Sequence, residues 1–188
     1  MRKVFILIAL CLTALLTGCA APSVVSNVTV FHSLNGIQNN KTYMVEATPD
    51  QANNLEFNSY VTILNQELLR HGFVMVNKDP GLKVSLKYGT SQTVASTQEP
   101  VPFYGPYEYG YGAYPAWQTS VDTYYMQQME VSMNQVADGK NVYTVRTRLL
   151  SASPELSLSM DYLMESAFQN FPGKNGVTET VTVPVHQQ

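Results

Sequence analysis

Phe57, Tyr60, Val61, Leu64 and Leu68 recur at intervals of three and four, the spacing that lays one apolar stripe of a helix against a core. Asn53 and Glu56 stand at capping-box spacing ahead of that stripe, and Gly72 supplies the stop. After Gly72 the period falls to two. Phe73-Val74-Met75-Val76 reads as a short strand, and Asp79-Pro80-Gly81 turns the chain. Leu82, Val84, Leu86 and Tyr88 then alternate with Lys83, Ser85 and Lys87, a strand with one packed face and one wet face.

The same alternation returns in Met129, Val131 and Met133, and again in Tyr143, Val145, Thr147 and Leu149, across the turn Asp138-Gly139-Lys140-Asn141. That pairing predicts a β-hairpin, because Asp-Gly tolerates the positive φ of a tight turn. A second helix is expected to open at Ser153-Pro154, to bury Leu156, Met160, Leu163, Met164, Ala167 and Phe171, and to end at Pro172-Gly173. Val28–Phe31 and Thr42–Val45 read as strands separated by Asn35-Gly36 and Asn39-Asn40 turns. Val177–Val185 reads as an edge strand or tail, since Pro184 cannot donate to a ladder. One-sided helices and alternating strands bury their apolar faces most simply in two layers. The expected fold is α+β: an antiparallel-rich sheet with two helices packed on one face, a two-layer sandwich, plus a long Tyr/Gly/Pro-rich loop.

That loop is residues 98–117, which hold five tyrosines, four prolines and three glycines, with Phe103 and Trp117 besides. Proline removes donors and glycine weakens order, so neither helix nor ladder strand is expected there. Tyr104, Tyr107, Tyr109, Tyr111, Tyr114 and Trp117 are the candidate binding residues, offering broad rings with polar tips. They suit stacking on sugars, pairing with a partner protein, or resting at a lipid headgroup boundary. The plainer reading is a low-complexity insertion folded back on the sheet edge.

The N-terminus changes the picture most. Met1-Arg2-Lys3 precedes an apolar run from Val4 to Leu16, too short for a span of ~20 residues and suited to a secretory signal. Leu16-Thr17-Gly18-Cys19 resembles the lipobox of bacterial lipoproteins. The resemblance implies cleavage before Cys19, acylation of its thiol, and attachment by acyl chains that a single chain could secure only marginally. Residues 1–18 are then signal, 19–27 a lipidated tether, 28–176 one domain, and 177–188 an edge strand or tail. Cys11 leaves with the signal, so no disulfide is expected. Ala20 is not the Asp that marks inner-membrane retention, so the outer membrane is implied, with the body in the periplasm.

The formal charge of −3 is already acidic and falls by two when Arg2 and Lys3 go. No basic patch invites nucleic acid. His32, His71 and His186 match no metal-ligand spacing. His71 is expected in a last helical turn, where a partly charged ring suits the helix dipole. No nucleophile elbow, phosphate loop or dinucleotide fingerprint occurs. Asp161 and Glu165 fall on one helical face, which solvation explains; a hydrolase built on them is the weaker alternative. Arg146 and Arg148 suit an anion clamp or cross-strand pairing with Glu130. No catalytic residue, cofactor or metal is expected.

Several stretches together resemble one family. They are Lys41-Thr42-Tyr43, Leu68-Leu69-Arg70-His71-Gly72-Phe73 with Asp79-Pro80-Gly81-Leu82, Tyr109-Gly110-Tyr111-Gly112, Ala137-Asp138-Gly139-Lys140, and Phe168 to Lys174. The set is similar to the bacterial lipoproteins of domain of unknown function 4136, over about residues 24–176. It departs at Tyr143, where the family pattern has Trp, at Gly81 for an Asp, and at Gly173 for a Pro. The resemblance implies an α+β envelope lipoprotein and carries over no functional residue. The expected function is a non-enzymatic binding or scaffold protein of the outer membrane, with a peptidoglycan- or polysaccharide-binding module as the alternative.

Overall fold

The computed structural model describes residues 22–33, 41–103 and 114–185. The elements are β1 (Ser23–His32), β2 (Thr42–Val45), α1 (Leu55–Arg70), β3 (Val74–Met75), β4 (Leu82–Phe103), β5 (Tyr114–Gln135) and β6 (Asn141–Ser151). A 3-10 turn (Leu156–Leu158), α2 (Met160–Phe168) and β7 (Val177–Pro184) complete them. The fold is α+β. Among the described residues a mixed sheet of seven strands runs in the order β3-β2-β4-β5-β6-β1-β7, accompanied by the two helices. The β2 pairings with β3 and β4 are parallel; β4-β5, β5-β6, β6-β1 and β1-β7 are antiparallel.

Register sets the core. Leu86 faces Val131, which faces Val145; Val84 faces Met133, which faces Tyr143. All six are buried, while Lys87 and Arg146, one residue out of phase, stand on the other side. From α1 come Phe57, Tyr60, Leu64 and Leu68, and from α2 Met160, Leu163, Met164, Ala167 and Phe168. The two helices touch each other, and α2 also packs on β1, β5, β6 and β7.

Local chemistry explains where the elements begin and end. Asn54, not Asn53, caps α1: its Oδ1 accepts the amides of Glu56 at 2.8 Å and Phe57 at 3.3 Å. Glu56 reaches forward instead of back and accepts the Tyr60 hydroxyl. The other end is a Schellman closure, with Phe73 N–H donating to the Leu68 carbonyl at 3.0 Å and Gly72 N–H to Leu69 at 2.9 Å. Gly72 takes φ +79° there, a conformation that a side chain would strain.

Helix α2 starts at Met160, six residues later than Pro154. The Gln127 amide donates to the carbonyls of Ser153 and Glu155, which holds that stretch outside a helix. Phe171 consequently lies past α2, but its ring still closes the core against His71 at 4.8 Å, Tyr143 at 5.1 Å and Phe73 at 5.7 Å. Gly173 has φ +81°, out of reach of the proline in the family pattern.

One more boundary moves. β1 begins at Ser23, paired to Pro184, so Ser23–Asn27, expected as tether, are strand, paired to β7 and from Ser26 also to β6. The expected turns at Asn35-Gly36 and Asn39-Asn40 lie outside the described residues.

Candidate functional site

The longest elements reach beyond the rest of the sheet. β4 and β5 pair without a break from Leu82↔Gln135 to Phe103↔Tyr114. β2 flanks β4 only as far as Val84, and β6 accompanies β5 only to Tyr125↔Ser151. Beyond Gln92↔Tyr125 each strand has only the other, and the pair forms an arm. About a dozen residues at ~3.3 Å each carry Phe103 some 40 Å from that root.

The arm corrects the expected loop over 98–117, because residues 98–103 and 114–117 are ladder. Proline in a strand ordinarily argues against a ladder. Pro100 and Pro102 share one parity in the register, opposite Trp117 and Pro115. In a ribbon of two strands both strands are edges, so the amides lost at those positions point to solvent and the inter-strand bonds survive. Thr97 Oγ1 and Ser120 Oγ, 2.9 Å apart, tie the strands laterally. The missed signal was the density of Thr, Val and Ser on both flanks of the tyrosines.

Of the candidate binding residues, Tyr104, Tyr107, Tyr109 and Tyr111 lie outside the described residues, as does Cys19. Tyr114 is the ladder residue opposite Phe103. Trp117 is 66 % exposed, and Val94 and Val121 are 64 % exposed each. Counting from buried Leu82, Val84 and Leu86, these three fall on the side of the ribbon that continues the core face. Glu99 and Asp122 fall on the opposite side.

A second surface lies on the side of β4, β5 and β6 away from Leu86, Val131 and Val145. Glu130 accepts from Arg146 Nε across the strands, and Lys87 Nζ stands 3.9 Å away. These groups, with Gln128 and Arg148, border a shallow concavity of about 330 Å³. Arg146 is thus engaged by a carboxylate, and Arg148 has no carboxylate partner among the described residues. Half-exposed pairs like Arg146–Glu130 contribute only ~0.2–1 kcal/mol. They favour register over chemistry.

The titratable groups elsewhere serve packing. The His71 ring lies against Phe168 and Phe171. Burial pushes its pKa below the ordinary value, against the pull of Glu67 and a hydrogen bond to the Phe168 backbone; Lys41 and Arg70 add to the lowering. That shifts the ring toward the neutral form, away from the partly charged ring expected at the helix end. Burial raises the phenols of Tyr43, to about 12, and of Tyr143. Tyr43 donates to Asn65 Oδ1 at 2.8 Å, while the Tyr143 hydroxyl is buried with no partner among the described residues. Asp161 is exposed and Glu165 half-buried on α2, and neither borders the concavity beside Glu130. Among the described residues no three His, Cys, Asp or Glu side chains gather as a metal-holding group, and no helix is long and apolar enough to cross a membrane.

Comparison with solved structures gives a PDZ domain protein from Parabacteroides distasonis, 17 % identical with a TM-score of 0.58. The match covers 86 % of this chain and 39 % of that one. The likeness is one of fold, and this chain spans well under half of that protein. PelC dodecamers from Paraburkholderia phytofirmans in two crystal forms are 14 % identical, cover 76 % of this chain and 92 % and 93 % of theirs, and have TM-scores of 0.35 and 0.36. No curated protein matches the chain. The domain of unknown function DUF4136 matches residues 28–173, most of the sequence. The chain belongs to the DUF4136 family.

Proposed function

We propose that this protein is a non-enzymatic lipoprotein of the bacterial outer membrane. Cys19 carries its acyl chains, the body stands in the periplasm, and the β4–β5 arm presents aromatic side chains to an envelope partner. One observation carries the reading: a paired ribbon about 40 Å long, far beyond what the core needs, that runs past exposed Trp117 to Phe103↔Tyr114. Exposed aromatics on a projection favour contact over catalysis, and tyrosine and tryptophan give wide contact at low entropic cost.

The finer view of the fold has the same kind of support. Burial at alternate positions along β4, β5 and β6, and contact between α1 and α2, favour two layers with both helices on one face of an antiparallel-rich sheet.

The test shortens the arm. Replacing Val94–Thr123 by Asn-Gly joins Thr93 to Tyr124 through a two-residue turn where these residues already face each other. The shortened protein should keep the thermal midpoint of the parent and lose the envelope components that the parent captures. Unchanged capture would remove the arm from the account. Trp117 also supports the polysaccharide alternative, since its exposed ring can stack on a sugar. Co-sedimentation of the parent with purified sacculi, lost in Trp117→Ala, would favour that reading over a protein partner.

A further inference from the structure

The direction of the arm relative to the anchor has its own consequence. β6 ends at Ser151, level with Tyr125 at the arm root, and β1 runs antiparallel to β6 with Ser26 opposite Leu149. The chain therefore enters β1, at Ser23, at the end of the sheet from which the arm leaves. Only β6 lies between β1 and β5, so two strand spacings, about 10 Å, separate the entry from the arm root. Cys19 precedes Ser23 by four residues, a reach of at most about 14 Å. The body extends the other way. A bilayer that holds Cys19 lies on the arm's side of the molecule, and a projection of about 40 Å cannot stay clear of it by tether length alone.

The arm is sorted for such a contact. Val94, Val121 and Trp117 share one side with Ser96, Thr119 and Thr123, and that side carries no charge; Glu99 and Asp122 occupy the other. No lysine or arginine occurs between Lys87 and Lys140, so attraction to lipid phosphates plays no part. Tryptophan and tyrosine favour the headgroup boundary, where a ring is dry and its polar tip is wet. The unpaired edge amides of both strands would be costly within hydrocarbon, whereas water still reaches them at the boundary. The ribbon is suited to lie in the interface and not to span.

From this geometry we infer that the arm is a second membrane contact: its uncharged side, through Val94, Val121 and Trp117, seats on the headgroup boundary of the bilayer that anchors Cys19. The inference rests on the acylation of Cys19 proposed above. It makes the surface of the lipid the first thing that the arm meets.

Trp117 is the one tryptophan of the chain, so its fluorescence reports the contact directly. The acylated protein is reconstituted into phosphatidylethanolamine–phosphatidylglycerol vesicles, with or without brominated acyl chains. Contact gives blue-shifted emission, about twofold quenching by the brominated lipid, and protection from aqueous iodide. High salt leaves these unchanged. Val94→Asp/Val121→Asp, at two exposed positions, should remain anchored while Trp117 regains iodide access.

An acylated, vesicle-bound protein whose Trp117 is open to iodide and untouched by bromine overturns the inference and leaves the anchor standing. A blue shift that follows protein density without bromine quenching also overturns it, and assigns the surface to a second copy. Protein with no acyl mass on Cys19 overturns both readings.

Discussion

Cys19→Ser is expected to abolish acyl incorporation and to move the protein from the membrane fraction to the soluble one. The size of the effect follows from chain arithmetic. Each buried methylene contributes ~0.8 kcal/mol, one acyl chain holds a protein only marginally, and two hold it stably. A serine hydroxyl carries none of them. The arm cannot compensate, because three exposed side chains at ~1.5–3 kcal/mol each, even if fully buried, offer no more than the marginal hold of a single chain. Membrane fractionation with fatty-acid labelling reads both quantities. A serine variant that stays with membranes through washing, from a parent that takes up no label, would contradict the anchor.

The second large effect lies in the core. Phe168 is fully buried, with its ring 6.5 Å from Tyr143 in a stacked arrangement, 6.1 Å from His71 and 6.2 Å from Phe171. It is the point at which α2, the end of α1 and β6 meet. Phe168→Ala should cost about 3–5 kcal/mol, the transfer energy of the ring plus a cavity that the surrounding rings cannot fill. Domains of this kind have ~5–15 kcal/mol in all, so the denaturant midpoint should fall by about a fifth or more. A loss under about 1 kcal/mol would mean that α2 is not seated where the structure has it.

Periodicity made much of the fold legible. The stripe from Phe57 to Leu68 is α1, and the alternations 82–88 and 129–149 are the central ladders, because each has one dry face and one wet face. Pro184 marked β7 as an edge. The arm was not legible for the converse reason. Thr90 to Thr97 and Gln118 to Thr123 are solvated on both sides, so no alternation announces a strand, and the prolines point the wrong way until both strands are seen to be edges. The start of α2 depends on Gln127, which reaches it from β5, and the cap of α1 was off by a single asparagine. Ser23–Asn27 reads as tether because the strands that pair with it, β7 and β6, lie at the far end of the chain. Such long-range partners leave no local trace in sequence.

The account depends on the far end of the β4–β5 ribbon, at Phe103 and Tyr114, standing away from the body. Spin labels at Lys87→Cys and Glu99→Cys test this directly. Both positions are exposed and both lie on the side of the ribbon away from the core; Cys11 and Cys19 are replaced by serine so that no native thiol takes up label. Twelve residues of extended strand separate them, and a pulsed electron resonance measurement should give a narrow distribution near 40 Å. A broad distribution centred below about 25 Å would show a segment folded back on the sheet, and the arm would not exist.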